Sequence, residues 1–169
     1  MTFANAARNL RIKDTDFIWF EEGAYGVLFV DRARKRVRKI YRARGGAPLA
    51  HCLDVFEAET QAYEIASRTD DLKAITPAYY GKCGQLTVID GAGNDVTGEF
   101  FPDLAFESEF IEGRLVKSNA ASKLERERIN ELFWKNKIFH TIDMSVCLKD
   151  GKITKAIDFA MKEIELWAT

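Results

Sequence analysis

The sequence predicts an α+β fold: a five-stranded antiparallel sheet carrying one long helix, followed by a reduced second part made of one helix and a hairpin. Three observations carry this expectation. Between Phe17 and Tyr41 the apolar runs FIWF, GVLFV and VRKIY are short, and Gly or charged clusters separate them, as in successive antiparallel strands. Farther along, Leu53, Phe56, Ala62, Tyr63 and Ala66 recur near helical spacing. Beyond Gly113 a highly charged stretch gives way to two apolar runs around Lys-Asp-Gly-Lys, a strong hairpin signal.

Composition bounds what this fold can carry. A chain of 169 residues, 47% hydrophobic and with twelve Phe, buries a real core as one domain or two small lobes. Its 25 basic and 26 acidic residues leave a formal charge of -1, so no overall field draws it to nucleic acid or to an anionic membrane. Any phosphate chemistry must therefore be local. Cys52, Cys83 and Cys147 are odd in number, lack CxxC spacing and have no His in a zinc-ligand pattern, which argues for reduced thiols. MTFANAARNLRIKD lacks the apolar core of a signal peptide, and no segment approaches the roughly 18 uninterrupted apolar residues of a membrane span, so a soluble protein is expected.

The elements follow in order. The three runs to Tyr41 are the first three strands, with DRARKR as a polar turn. Gly-Gly-Ala-Pro at 45–48 interrupts the chain, and LDVFEAETQAYEIASRTDDL then forms an amphipathic helix with Asp54 near its start, where the helix dipole favours negative charge. ITPAYYGKC, LTVID and DLAFESEFIEG, divided by the DGAGND turn, read as two or three more strands, with five the expected number. In SNAASKLERERINELFWKNKIF, Leu124, Ile129, Leu132 and Phe133 stripe a second helix capped by Ser118 or Ser122. MSVCLKDGKITKAIDFA is the hairpin, and MKEIELWAT a closing helix or tail. The expected boundary separates residues 1–113 from 114–169.

From about residue 18 to about residue 160 this order resembles the protein-kinase fold. In that family a glycine-rich loop between the first two strands covers the ATP phosphates, since only bare backbone brings its N–H groups close enough. EGAYGVLF resembles the latter part of that loop, with Gly23 and Gly26 at its last two glycine positions and Glu21 in place of the first. Gly-x-x-Gly by itself is also an ordinary turn. RVRKIY resembles the third strand, whose lysine takes the α- and β-phosphates. Lys39 stands there, thirteen positions after Gly26, and a plain basic hairpin with Arg36 and Arg38 is the competing reading. FEAETQAYEIA resembles the next helix, with Glu59, or Glu57 as its substitute, the glutamate that holds the lysine. FESEFIEGRLV resembles the hinge, where backbone near Glu109, Phe110 and Ile111 would bond the adenine edge; the competing reading is an edge strand ending at Gly113.

IFHTIDMSVCLKDGKITKAIDFA supplies His140, Asp143 and Asp158-Phe159-Ala160. The resemblance implies that Asp143 orients a hydroxyl or accepts its proton, and that Asp158 binds magnesium. It also puts Ser145, or a water, in place of the Asn that the family carries five residues after the catalytic Asp. The chain departs from the pattern here: two residues separate His140 from Asp143 instead of one, and no Asn lies between Asp143 and Asp158. His140 itself reads as a satisfied histidine packed after Ile138 and Phe139. A carboxylate following Ala156-Ile157 calls for a partner or ligand if it lies in a core. Only eleven residues follow Asp158, as in the minimal kinases among secreted bacterial effectors. The resemblance thus implies ATP and magnesium as cofactors, a protein hydroxyl as acceptor, and a location in the cytoplasm or, after secretion, in a host cell. The departures imply a pseudokinase that scaffolds or inhibits a protein partner. A third reading is an unrelated α+β binding module whose strand order is coincidental.

Overall fold

A computed structural model describes residues 8–42 and 46–167. The first seven residues, Gly45 of the Gly-Gly-Ala-Pro break and the last two residues of the tail lie outside it. The chain divides into two compact units, one of residues 1–56, 80–110 and 166–169, the other of residues 57–79 and 111–165. Among the described residues no helix is long and apolar enough to cross a membrane. All three cysteines are free thiols.

The class is α+β, but the main sheet has seven strands where the sequence suggests five. These are β1 (Arg11–Ile12), β2 (Ile18–Glu22), β3 (Gly26–Asp31), β4 (Arg36–Tyr41), β5 (Tyr79–Cys83), β6 (Val88–Ile89) and β7 (Phe101–Glu109). They lie in the order β5-β7-β4-β3-β2-β1-β6. The strand without a counterpart among the expected runs is β1, which pairs with β6, the strand within LTVID, through Arg11↔Ile89 and Ile12↔Val88. A two-residue strand spans a single alternation, so no period-2 signal separates it from a loop. One face of the curled sheet encloses a core of Leu10, Ile12, Phe17, Val27, Phe29 and Ile40 with neighbours from β6 and β7.

Two registers fix the neighbours of the basic strand. In β3–β4, Gly26 pairs with Tyr41 and Leu28 with Lys39. In β4–β7, Arg38 pairs with Glu107 and Lys39 with Phe106. Because side chains alternate across a strand, Arg36, Arg38 and Ile40 share one face and Lys39 and Tyr41 the other.

The first helix, α1 (Leu49–Arg68), starts four residues before Leu53, and Thr69 separates it from a short additional helix, α2 (Asp70–Lys73). Its buried stripe is Cys52, Val55, Phe56, Glu59, Ala62, Tyr63 and Ala66, whereas Leu53, expected on that stripe, is exposed. The phase is set one residue earlier than Leu53 implies, and Glu59 falls inside it. After β8 (Val116–Lys117) and a 3-10 turn at Ser118–Ala120, the helix α3 (Lys123–Trp134) begins. β9 (Ser145–Lys149) and β10 (Lys152–Ile157) form the expected hairpin, and β8 adds a third strand to it. Asp150 and Gly151 both take positive φ, 52° and 76°, as a two-residue hairpin turn demands. Residues 161–167 form no helix.

Ser122 is the cap of α3, its Oγ accepting the Glu125 N–H at 3.2 Å. Leu124, expected on the apolar stripe, is 78% exposed, and Glu125, 3% exposed, is buried in its stead. Glu125 is a buried tie between α3 and β10. Its carboxylate accepts Arg128 Nε at 2.9 Å and Nη2 at 2.6 Å, and the Ile153 N–H at 2.8 Å. Arg128 draws its pKa down, burial opposes this, and the Ile153 N–H adds to the lowering, leaving the carboxyl at about 2 instead of 4.5. Glu125→Ala is expected to cost about 2 kcal/mol at neutral pH, mainly by leaving the Ile153 N–H buried without an acceptor. The folded pKa lies below the unfolded one, so this stabilisation is complete above about pH 4.5 and fades as pH falls through about 2. Urea melts of the two proteins should therefore differ most near neutrality and converge in acid.

Candidate functional site

In the first unit, β2 and β3 meet at a tight turn closed by Gly23 N–H donating to the Gly26 carbonyl at 2.7 Å. Tyr25 inside it is buried, its hydroxyl 2.9 Å from His51 Nε2 and accepting the Trp167 N–H at 2.7 Å. The two glycines differ in what requires them. A Cβ on Gly26 would stand 2.8 Å from Lys39 Cε and 2.9 Å from Cγ, so the lysine chain itself needs the bare backbone there. A Cβ on Gly23 would meet only the Gly26 carbonyl oxygen, at an ordinary 3.6 Å. Nothing in the fold demands glycine at that position.

Lys39 crosses Gly26, and its Nζ lies 5.0 Å from the Tyr41 ring centroid. Arg36 and Arg38 are engaged on the opposite face: each donates to Glu107 at 3.1 Å, Arg36 stacks on Tyr80 and Arg38 on Phe17. The basic run is therefore two sets with different surroundings, and Lys39 is not one more member of an arginine cluster. At the end of β7, Glu109 pairs with Arg36, and the Phe110 N–H donates to the Lys35 carbonyl at 2.9 Å. Ile111 follows outside any strand and is half-buried.

The second unit gathers Glu59, Asp158 and Ser145 around a residue that sequence reasoning assigned only to the core, Tyr63. Glu59 and Tyr63 stand four apart on α1, one helical turn, and both are buried. The Tyr63 hydroxyl accepts the Asp158 N–H at 3.4 Å. Burial pushes its pKa well up, and the charges of Asp158 and then Glu59 add to that. The signal available was the phase of the α1 stripe, in which Glu59 and Tyr63 occupy successive turns.

Asp158 directly follows β10. Its φ is 64°, in the left-handed region that Asp tolerates better than most residues but at a cost of roughly 1–2 kcal/mol. Buried Ala156, Phe159 and Ala160 hold the backbone around it. The carboxylate is exposed, so the core burial considered from sequence does not arise; one oxygen accepts the Ser145 hydroxyl at 3.1 Å. The hairpin makes that meeting inevitable, because Ser145 pairs with Ile157, the residue before Asp158.

Asp143 is exposed, its Oδ2 3.8 Å from His140 Nε2, within ion-pair range but beyond a hydrogen bond. Its carbonyl accepts Lys117 Nζ at 3.2 Å. His140 is buried and bridged to Ala160 in both backbone directions. Its Nδ1 accepts the Ile164 N–H, so the neutral ring carries its proton on Nε2, toward Asp143. Among the described residues no three His, Cys, Asp or Glu side chains cluster as a metal site. No protein-family model, curated protein or solved structure matches the chain.

Proposed function

We propose that this chain is a minimal protein-kinase-like phosphotransferase that moves a phosphoryl group from ATP to a protein hydroxyl. The observation that carries the reading is Asp158: a carboxylate held in left-handed backbone at a strand end, exposed, and joined to Ser145. Strained polar residues held by a rigid surround are a mark of functional sites. Two further observations support it. Lys39 is separated from the arginines beside it, and position 23 carries no side chain although no packing calls for glycine there.

Magnesium prefers hard oxygen donors and keeps several waters, so Asp158 with the Ser145 hydroxyl is a donor set of suitable chemistry, completed by phosphate oxygens. Bound there, the ion would offset the negative charge of the phosphates. Lys39 would take the α- and β-phosphates and Gly23 would let backbone approach them. Asp143 would orient the acceptor hydroxyl and receive its proton. Catalysis would rest on positioning and electrostatics.

A second reading, a pseudokinase that binds a protein partner with little or no transfer, is favoured by the missing Asn and by the Phe110 N–H, which already donates to Lys35. Thermal shift with ATP, with and without magnesium, followed by transfer from radiolabelled ATP to the chain itself or to a generic protein, separates the two. Stabilisation grows with ligand concentration if the folded chain binds ATP. Transfer supports the phosphotransferase, stabilisation without transfer the pseudokinase. Neither response would end both readings and leave an unrelated α+β binding module.

A further inference from the structure

We propose that a cavity beside Asp143 binds a small oxyanion, a carboxylate or phosphate carried by the acceptor near its hydroxyl. The role of the oxyanion as part of an acceptor rests on the phosphotransferase reading, whereas the binding site does not.

The cavity lies wholly within the second unit, with a volume of about 300 Å³, at the lower end for small-molecule sites. Its polar lining comes from Ser118 and Asn119 of the 3-10 turn, Arg126 and Asn130 of α3, and Thr141 and Asp143 of the loop before β9. Arg126 and Asn130 are four apart, so α3 presents both on one side. Buried Met144 and Ile129 supply apolar wall.

What marks the cavity is unused hydrogen-bonding capacity. Arg126 Nε is buried and has no hydrogen-bond partner. Among the described residues, no hydrogen bond or ion pair engages the Arg126 guanidinium or the side-chain amides of Asn119 and Asn130. The neighbouring Arg128 shows the contrast, with its fork filled by Glu125. A buried donor without an acceptor costs roughly 1–3 kcal/mol, and native structures contain few of them. The outer nitrogens of the planar guanidinium match a carboxylate or phosphate, and two amide groups stand by to donate as well. The one acidic side chain in the lining is Asp143, which suits a neutral hydroxyl and repels a second negative charge. A ligand that satisfies the whole lining therefore carries both an anionic group and a hydroxyl.

The test uses the ¹⁵N-labelled full chain and follows the Arg126 Nε–H and the Asn119 and Asn130 side-chain NH₂ resonances. Inorganic phosphate and acetate are added separately, with chloride at matched ionic strength as control. We expect saturable shifts at these three side chains, with a Kd of about 1 mM for the better anion, and the two arms show which group the site prefers. Arg126→Lys keeps the charge but loses the fork, and should weaken binding at least about tenfold. Thermal melts confirm that the variant is folded; if it is not, the wild-type titration alone decides. Absence of saturable shifts up to about 50 mM of either anion, or shifts equal to those in chloride, would overturn the proposal; a Kd near 1 mM corresponds to about 4 kcal/mol and is readily measured. Saturable shifts in a chain that transfers no phosphate would keep the oxyanion site and remove its acceptor role. Transfer in a chain that shows no shift would remove the oxyanion site and keep the phosphotransferase reading.

Discussion

If the chain transfers phosphate as proposed, replacing either Lys39 or Asp158 by alanine is expected to slow that transfer at least about a hundredfold, roughly 2.7 kcal/mol of barrier. Lys39→Ala would remove a positive charge placed for phosphate, and Asp158→Ala a metal ligand. In the proposed reaction both losses would fall on one transition state, so the double variant should then be far less impaired than the product of the single effects predicts. Single-turnover transfer from radiolabelled ATP, on variants shown to be folded, is the measurement. Undiminished transfer by both folded variants would mean that the chemistry sits on other residues. Lys39→Ala also empties space over Gly26, so its melting temperature should be recorded beside its rate.

The largest expected effect on stability is at Phe159, beside Asp158. Its ring is fully buried, stacked on Tyr63 with centroids 4.5 Å apart and 16° between planes, and tilted against Phe133 at 4.9 Å. Phe159→Ala removes the common member of both contacts and should cost about 3–5 kcal/mol. Domains are typically stable by about 5–15 kcal/mol, so this one change consumes a large fraction of the margin. Urea unfolding should show the midpoint falling at unchanged slope. Because Phe159 also anchors the residue held at φ 64°, any transfer activity, if the proposed function holds, should fall more than the unfolded fraction accounts for.

The α+β class, α1, α3 and the β9–β10 hairpin were legible because each is long enough to express a period or closes with a specific turn. β1 was not, since two residues carry no period, whereas β6 lies within the apolar run LTVID. Glu59 stands out in the sequence only through the family resemblance, and Glu125 not at all, because their charge suggests solvent, yet each occupies an apolar phase of its helix. Their burial is tolerable only through partners that sequence spacing does not reveal: Glu125 bonds Ile153, 28 residues away. The meeting of Ser145 with Asp158 was easier to foresee, because hairpin register alone brings the two strand ends together. The separation of Lys39 from Arg36 and Arg38 was likewise available from period-2 alternation. The hydrogen bond that occupies the Phe110 N–H was not, since it depends on how β7 runs past the turn after β3.

The position of β7 in the sheet has a consequence during synthesis. β4 ends at Tyr41 and its partner β7 begins at Phe101, 60 positions later (101 minus 41). At translation rates of roughly 5–20 residues per second, the nascent chain carries β4 with one open edge for roughly 3–12 s. An open edge invites pairing with another chain, and charge along it discourages that encounter. Arg36, Arg38 and Lys39 stand on this strand, so half of its six residues are cationic while the ribosome is still at work. The arginines that later bond Glu107 on β7 thus guard, in the unfinished chain, the very groove that β7 is made to fill.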